Sequence, residues 1–472
     1  MLQCVLILLR AMKNLESVSN SYDVKFIILK KMGKSVILNK KIVIFWFRRD
    51  LRLNDNHGLY HALKSGLPVL PIFIFDREIL GKLNAKEDAR VSFIYSKINS
   101  LKNELEKQGG SIRFLHSGPR NAFEKLLEEF DVSEVYANKD YEPYGIERDR
   151  KIGDLLRSKG IGFRLFKDHI IYEENEIVKD NGKPYTVFTP YSNKWKQALK
   201  NDNIPAFPSE KLLHKLIKVK PYPVITLKKL GFMESSAEIP PGDIPEEVIS
   251  DYSDKRDFPA VRGTTRLGIH LRFGTISIRI LTKKAMELSE VFLNELIWRN
   301  FFITILYFFP EVVGKAFKAK YDFIRWTNDE KNFERWCHGQ TGYPMVDAGM
   351  RELNQTGFMH NRVRMLTAGF LVRHLLIDWR WGEAYFAEKL LDFELASNNG
   401  NWQWAAGTGC DAAPYFRIFN PERQQKRFDP NNEYINKWVP EYGTTKYISP
   451  LVDYKFARER ALNAYKAVLK QV

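Results

Sequence analysis

The sequence predicts an α/β domain with a doubly wound parallel sheet, followed by an all-α domain. Three observations support this fold class. Apolar runs typical of buried strands alternate with helix-like segments over residues 41–173. Segments punctuated by proline and glycine follow over 174–250 and indicate an extended interdomain linker. From 251 to 472, apolar residues recur every three or four positions, with few strand signals.

Residues 1–40 are predicted to be an N-terminal extension, either disordered or the result of an over-called translation start. The run MLQCVLILLR is too short to span a membrane, and no small-residue cleavage site follows closely. Met32 offers a second start. A targeting segment is the less favoured alternative.

The predicted sheet begins at Ile42, where IVIFWF has the continuous apolar character of a strand buried on both faces. The polar stretch after it enters a helix, with Asn54 or Asp55 as the expected cap. No GxGxxG follows this strand, so a dinucleotide on a glycine-rich turn is not predicted. The later elements alternate between strands at 67–75, 111–116 and 132–140 and helices at 86–108 and 120–130.

Composition indicates a polyanionic partner. The chain has 472 residues, a net charge of +16 and 13% aromatic residues. Its length predicts two or three domains. A basic and aromatic composition suits nucleic-acid binding, with an anionic membrane surface as the alternative. No apolar run reaches the roughly 18–20 residues of a membrane span.

The cysteines argue against a metal site. Cys4, Cys337 and Cys410 are far apart and have no CxxC spacing. This pattern predicts neither a disulfide framework nor a thiolate zinc site. We therefore expect no metal and a cytoplasmic location.

The segment 392–420, DFELASNNGNWQWAAGTGCDAAPYFRIFN, is the most informative part of the chain. Trp402 and Trp404 are flanked by small residues, and Asp392 and Glu394 lie just upstream. Glycine and alanine allow close backbone approach, and indole rings stack on planar ligands. The segment predicts a site for a bulky planar ligand. A structural corner rich in Gly and Trp is the alternative.

A second candidate is the helical segment NELIWRNFF, 294–302. Glu295, Trp298 and Arg299 fall on one helix face. A carboxylate, an indole and a guanidinium together could bind a polar aromatic ligand. A surface salt bridge beside a core tryptophan is the alternative.

A third candidate, MHNRVRM at 359–365, places Asn361, Arg364 and Met365 on one face. The amide can donate and accept along the edge of a heterocycle, and arginine can pair with a carboxylate or phosphate. Solvated basic residues are the alternative. RGTTRLG, 262–268, offers a phosphate cradle before a helix but lacks the P-loop lysine.

Together these segments resemble the photolyase/cryptochrome flavoproteins, and most closely the class I cyclobutane pyrimidine dimer photolyases. The resemblance covers about residues 42–465. It implies an antenna-binding α/β domain and a helical FAD- and DNA-binding catalytic domain. The motifs that carry it are WFRRDLRLNDN (46–56), TVFTPYSNKW (186–195), YSDKRDFPAVRGTTRLG (252–268), NELIWRNFF, TGYPMVDAGMRELNQTGFMHNRVRM (341–365) and LASNNGNWQWAAGTGCDAAPYFRIFNP (395–421).

The resemblance implies one folded FAD, fully reduced in its working form. Thr264 to Leu267 would hold its pyrophosphate, Asn398 would face the flavin N5, and Arg364 and Asp392 would form a buried pair beside the ring. The implied FAD-binding residues are Tyr252, Thr264, Thr265, Arg266, Leu267, Phe292, Glu295, Arg299, Asn361, Arg364, Asp392, Glu394 and Asn398.

Three residues of this pocket depart from the family pattern. Phe292, Glu394 and Gly268 stand where Trp, Asp and Ser are frequent. We expect them to tune FAD affinity or redox potential without abolishing binding.

The resemblance also implies an electron-transfer chain, with Trp402 nearest the flavin, then Trp379, then Trp326. Three core indoles are the alternative on the residues alone.

For the lesion, the resemblance implies an aromatic wedge formed by Trp298 and Trp404 around a flipped-out dimer. Glu295 would hydrogen-bond the pyrimidine edge, and Asn361 and Met365 would complete the pocket. Two further residues, Arg256 and Arg362, would lie near DNA phosphates.

The implied function is light-driven repair of cyclobutane pyrimidine dimers, in duplex or single-stranded DNA, by electron transfer from photoexcited reduced FAD. The enzyme would be a deoxyribodipyrimidine photo-lyase, and a monomer. The main alternative is a cryptochrome-type blue-light photoreceptor without repair activity. A basic nucleic-acid binder with a structural flavin is weaker.

Whether a second, antenna chromophore of folate, deazaflavin or flavin type is bound, or none, is left open. Tyr141 and Glu142 are the nearest matches to the region that contacts a folate antenna.

Overall fold

The computed structural model describes residues 38–469. Most of the predicted N-terminal extension, residues 1–37, therefore lies outside the described residues. Within them, a five-stranded parallel sheet with flanking helices is followed by a helical region. The predicted fold class is confirmed.

The sheet is parallel throughout and has the strand order β3-β2-β1-β4-β5. The order reverses between β1 and β4, which is where parallel sheets open a crevice at their carboxyl ends. The strands are β1 (Leu38–Phe47), β2 (Val69–Asp76), β3 (Arg113–Ser117), β4 (Phe130–Asn138) and β5 (Gly162–Phe166).

Both faces of the sheet are buried at its central strands β1 and β2, whereas the edge strand β5 is largely exposed. Val43 and Phe45 of β1 belong to one apolar cluster, whereas Ile42 and Ile44 belong to another on the opposite face. This arrangement explains the unbroken apolar run, because a strand covered on both sides needs no polar face. The helices of this domain are α1 (His57–Leu63), α2 (Arg77–Leu80), α3 (Ala89–Lys107), α4 (Pro119–Glu129) and α5 (Pro143–Ser158).

The first strand begins at Leu38, four residues before the predicted Ile42. Leu38 pairs with Phe130, and the register shifts before regular pairing sets in. The prediction started too late because it followed apolar side chains, whereas a strand end needs only backbone hydrogen bonds.

The cap of α1 is Asn56 and not the predicted Asn54 or Asp55. The Asn56 side chain accepts from the backbone N–H of Leu59 at 3.1 Å. A helix cap needs extended backbone, which Asn56 has, whereas Asp55 has a φ of 47° in the left-handed region.

The segment predicted as an extended linker contains helix α6 (Phe188–Asn201), so that prediction is wrong over this stretch. Tyr191, Trp195 and Leu199 recur every four residues and are buried in the core of the helical region. This apolar stripe stabilises a helix despite the neighbouring prolines. The other helical elements of the segment 174–250 are a 3₁₀ helix (Ser209–Lys215) and the short helices α7 (Leu227–Leu230) and α8 (Glu246–Ser250).

The rest of the described chain is helical. One π-helical turn, Phe370–His374, continues helix α15. The helices are α9 (Tyr252–Lys255), α10 (Gly268–Phe273), α11 (Ile278–Leu288), α12 (Glu290–Phe308), α13 (Glu330–Cys337), α14 (Pro344–Thr356), α15 (Asn361–Gly369), α16 (Trp379–Lys389), α17 (Leu395–Ala406), α18 (Pro421–Phe428), α19 (Glu433–Trp438) and α20 (Tyr454–Leu469), with 3₁₀ turns at Pro310–Val313 and Ala319–Phe323.

Helix α12 lies at the centre of this region and packs against α6, α11 and α17. Among the described residues it is the one helix long and apolar enough to cross a membrane, and 61% of its apolar window is buried inside the protein. It also carries Glu295, Trp298 and Arg299, so the core itself positions these side chains.

Candidate functional site

A cavity with about 1350 Å³ of empty space, partly open to solvent, lies among α10, α12, α15 and α17. Every residue predicted to bind FAD lines it, together with Met365, Trp402 and Trp404. Four distant segments of the sequence therefore meet at one site. The aromatic, hydroxyl and charged groups on its wall suit a large planar ligand that carries phosphates.

One end of the cavity is formed by the loop before α10. Thr264 and Thr265 contribute hydroxyl groups, and the Arg266 guanidinium lies 4.3 Å from the centre of the Phe358 ring. Arg266 has a φ of 54°, so the chain turns sharply before the helix. Hydroxyls and a guanidinium are suitable donors to a pyrophosphate.

Arg364 and Asp392 form the predicted ion pair on the cavity wall. The Arg364 Nη2 atom donates to both Asp392 oxygens, at 2.9 and 3.2 Å. Their side chains are 26% and 22% exposed, so the pair is less buried than predicted. A Cβ atom on Gly268 would lie 2.7 Å from Asp392, so the departure from Ser leaves room for this carboxylate.

Glu394 lies between two arginines. Its Oε1 atom accepts from Arg299 and from Arg49, each at 2.8 Å. Burial alone would raise the pKa of Glu394, but Arg299, Arg49 and Arg272 lower it to about 2. The cavity therefore has an ionised carboxylate with two guanidinium partners.

Asn398 is held in one orientation by a residue that the sequence did not reveal. Its Nδ2 atom donates to the Glu383 carboxylate at 2.8 Å and to the Glu383 carbonyl at 3.1 Å. Burial raises the pKa of Glu383, although this hydrogen bond lowers it. Because the amide nitrogen is engaged, the Asn398 oxygen is the end left to meet a ligand. Glu383 lies on a different helix, and nothing in the local sequence marked it.

The two arginines predicted to contact DNA have acidic partners. Arg256 donates to Glu295 at 2.6 Å, and Arg362 donates to Asp257 at 2.5 Å. Burial lowers the pKa of the Arg256 guanidinium, but Glu295 and Tyr252 raise it above its ordinary value. Arg256 thus contacts the carboxylate predicted to be catalytic, and DNA contact by either arginine stays a prediction.

The two tryptophans predicted to flank the lesion lie differently. Trp404 lines the cavity, whereas Trp298 lies outside that lining and stacks on Phe188. The two ring centroids are 3.6 Å apart, and the planes differ by 3°. Phe188 belongs to the family-like motif TVFTPYSNKW. Its contact with Trp298 of α12 is set by tertiary packing and was not predictable from the motif.

The three tryptophans of the predicted chain pack in one apolar cluster. Trp402 lines the cavity and Trp379 is equally buried, whereas Trp326 is only partly buried at the edge of the cluster. A Cβ atom on Gly382 would lie 2.1 Å from the Trp402 ring, so a glycine is required there. Two of the three indoles are therefore buried in the core and the third, Trp326, lies at its edge, whereas electron transfer along them stays a prediction. The rings of Trp336 and Trp402 are also in contact, at 6.2 Å.

The residues matched to an antenna site are engaged within the protein. Tyr141 is buried and donates to Glu173 at 3.1 Å, and Glu142 accepts from Arg49 and Arg272. An antenna chromophore stays a prediction.

Comparisons with known proteins agree with this geometry. A family model for DNA photolyase matches residues 43–210, and one for the FAD binding domain of DNA photolyase matches residues 292–446. The deoxyribodipyrimidine photo-lyase of Agrobacterium fabrum is 36% identical, over 91% of this chain and 98% of that protein.

Solved structures share the whole fold. A class III photolyase from Agrobacterium tumefaciens has a TM-score of 0.81 at 33% identity, over 92% of this chain and 99% of that one. A cryptochrome from Synechocystis has a TM-score of 0.78 at 25% identity, over 90% and 99%. The first of these is described as class III, so the similarity does not single out the predicted class I. With family models and relatives that span most of its length, the chain belongs to the DNA photolyase family.

Proposed function

We propose that this protein repairs cyclobutane pyrimidine dimers in DNA when illuminated, as a deoxyribodipyrimidine photo-lyase. One observation carries the proposal. Four of the five residues assigned to the lesion, Glu295, Asn361, Met365 and Trp404, line the same cavity as those assigned to FAD, and only Trp298 lies outside its lining. An electron then has only a short path from cofactor to substrate. The name of the Agrobacterium fabrum relative supports the same activity.

The chain supplies the site, and the cofactor supplies the electron. Fully reduced FAD, held by the residues of the cavity, would supply the electron that opens the cyclobutane ring and would regain it afterwards, with no net redox change. The ion pair of Arg364 with Asp392 and the amide of Asn398 would hold its ring system in place. Glu295 hydrogen-bonds the pyrimidine edge, and Arg256 supplies positive charge beside it.

Lesion binding requires the dimer to leave the duplex. Extrusion costs a few kcal/mol, least where damage has already weakened stacking. Stacking on an aromatic side chain returns about 1–3 kcal/mol per base. Trp404 on the cavity wall and Trp298, which lies outside the lining with one face on Phe188, would together offset the cost of extrusion. The net charge of +16 favours binding of the DNA backbone.

A blue-light photoreceptor without repair is the alternative, and the similarity to the Synechocystis cryptochrome favours it. The presence of Met365 and Trp404 on the cavity wall favours repair. We further infer a monomer.

The deciding experiment is repair of a defined thymine dimer in duplex DNA by the purified, reduced holoprotein, in blue light and in darkness. Light-dependent recovery of the two thymines is expected. Failure with FAD bound and fully reduced would favour the photoreceptor.

The role of Glu295 can be tested on the same helix. Glu295→Ala should lower the repair yield per photon while FAD is retained. The matched control is Glu290→Ala, because Glu290 is an exposed residue of α12 that pairs with Lys196. Equal yields in the two variants would remove the assigned role.

The tryptophan chain predicts a different defect. Trp326→Phe should block photoreduction of bound oxidised flavin by an external donor, while repair by pre-reduced protein continues. Trp381→Phe, a nearby indole without an assigned role, serves as the control. Loss of both activities in Trp326→Phe would contradict an electron-transfer chain of tryptophans that is separate from the repair reaction.

A further inference from the structure

We propose that Arg49, a residue of the α/β domain, is a positioning residue of the flavin site in the helical domain. It acts through Glu394, so docking of the α/β domain completes the flavin site. The proposal rests on FAD binding in the cavity described above. It does not depend on which reaction follows.

Glu394 forms a wall between two spaces. On one side it lines the flavin cavity with Arg299. On the other side it lines a small gap between the domains, together with Arg49, Tyr141 and His169. The carboxylate is therefore within reach of both domains. Its side chain is 6% exposed, so its ion pairs are well shielded from solvent.

The contacts of Glu394 leave it little freedom. Oε1 accepts from the Nη2 atoms of Arg49 and Arg299, each at 2.8 Å, and Oε2 accepts from the Ser397 hydroxyl at 3.0 Å. Two guanidinium groups sharing one oxygen fix its position more tightly than one would. Removing Arg49 leaves Arg299 and Glu394 to reorient toward each other, and both line the flavin cavity.

Arg49 itself is anchored on both sides of the domain boundary. Its Nη1 atom donates to Asp140 and Glu142 at 3.1 Å, and its Nε atom donates to the Arg272 carbonyl at 3.3 Å. Arg272 belongs to α10, which follows the loop assigned to the FAD pyrophosphate. The Nη2 atom of Arg49 is thus held toward Glu394 by a frame built from both domains.

The length of Glu394 is part of the arrangement. An aspartate at this position is frequent in the family but is shorter by one C–C bond, about 1.5 Å. It could not hold both guanidinium groups at 2.8 Å without movement of the backbone. The longer side chain of Glu394, in place of the frequent Asp, is therefore explained by its contact with Arg49 as well as Arg299.

The test compares two neighbouring arginines in the holoprotein. Arg49→Met is expected to release FAD at least tenfold faster on dilution, measured by the fluorescence of free flavin, and to change the visible circular dichroism of bound FAD. Arg48→Met is the control, because Arg48 is also buried but binds Asp149 and the Asn138 carbonyl within its own domain. It should change the release rate less than twofold.

Glu394→Asp should reproduce the Arg49→Met release rate, and the double variant should add little, because both remove one interaction. If Arg49→Met does not fold, Arg49→Lys keeps the charge but loses the fork of donors, and faster release is again expected.

Release rates that are equal in the Arg48 and Arg49 variants, or unchanged in the latter, would overturn the proposal. A wild-type protein that holds FAD tightly but does not repair dimers would overturn the proposed function and leave this inference intact.

Discussion

Two regions of the molecule concentrate arginine, aspartate and asparagine: the flavin cavity of the helical domain, and the carboxyl edge of the sheet between β1 and β4. In doubly wound sheets that edge is the usual place for a ligand. Here it is filled by the protein. The flavin cavity, by contrast, stays open and is partly exposed to solvent.

At the sheet edge, Asn138 shows how the space is closed. Its amide donates to Asp50 at 2.5 Å and to Asn56 at 2.8 Å, and it accepts from the backbone N–H of Gly58 at 2.8 Å. A Cβ atom on Gly58 would lie 2.8 Å from the Asn138 oxygen. The amide donors and the acceptor of Asn138 are thus all used within the protein.

The same edge receives a side chain from the other domain. Arg279 of α11 donates to Asp55 at 2.9 Å and to Asp168 at 3.0 Å, beside the pair of Arg52 with Asp168 at 2.7 Å. The crevice therefore serves to dock the helical domain. The comparison teaches that similar residue types make a ligand site only where packing leaves room.

The largest expected effect concerns the pH dependence of the ionised wall of the cavity. The pKa of Glu394 is about 2 in the fold, below its ordinary value of 4.5. A lowered pKa stabilises the folded state above the ordinary value, and this contribution is lost as pH falls from about 4.5 toward 2. It is worth on the order of 3 kcal/mol. At pH 3, inside that window, about 2 kcal/mol of it is lost, so urea unfolding at pH 7 and pH 3 should show a loss that is larger by this amount in the wild type than in Glu394→Gln. Parallel pH profiles for the two proteins would contradict the assignment.

A substitution at the filled carboxyl edge of the sheet should lower the stability of the fold without changing flavin binding. Asn138→Ala leaves buried partners such as Asp50 without a hydrogen bond, and should lower the free energy of unfolding by about 2–3 kcal/mol. The rate of FAD release should be unchanged. Asn181→Ala, in an exposed turn, is the control. FAD loss without loss of stability would break the comparison between the two regions.

A substitution at the predicted lesion site, beside the open cavity, should change the affinity for damaged DNA. Trp298→Ala should weaken binding of dimer-containing DNA, relative to undamaged DNA, by about 1–3 kcal/mol. Phe188→Ala should act in the same direction but less, because Phe188 only supports the Trp298 ring. Trp438→Ala, a half-buried indole of α19, is the control. An unchanged ratio of affinities in Trp298→Ala would exclude stacking as the mechanism.

The smallest expected effect concerns the orientation of Asn398. Glu383→Gln keeps an oxygen that can accept from Asn398. It should therefore change the free energy of flavin reduction, obtained from the reduction potential of bound flavin, by about 1 kcal/mol or less. Glu383→Ala removes the acceptor and should shift it further. Glu388→Gln, an exposed residue of the same helix, is the control. Equal shifts in the Glu383 and Glu388 variants would mean that Asn398 is not held by Glu383.

The sequence by itself determined the fold class, the family and the groups of residues that share a helix face. Glu295 and Arg299, or Asn361 and Arg364, come together because the helix repeat places residues three or four apart on one side. These are local relations. The motifs therefore predicted them before any packing was known.

Only the tertiary structure decided which groups meet across long separations. Glu394 reaches Arg49 in the other domain, Asn398 is held by Glu383, and Trp298 is supported by Phe188. The helix at 188–201 formed inside a segment rich in turn signals, because a stripe of large apolar residues found a core to bury in. Local spacing can place a side chain on a face, but its partner is chosen by the packing of elements far apart in the chain.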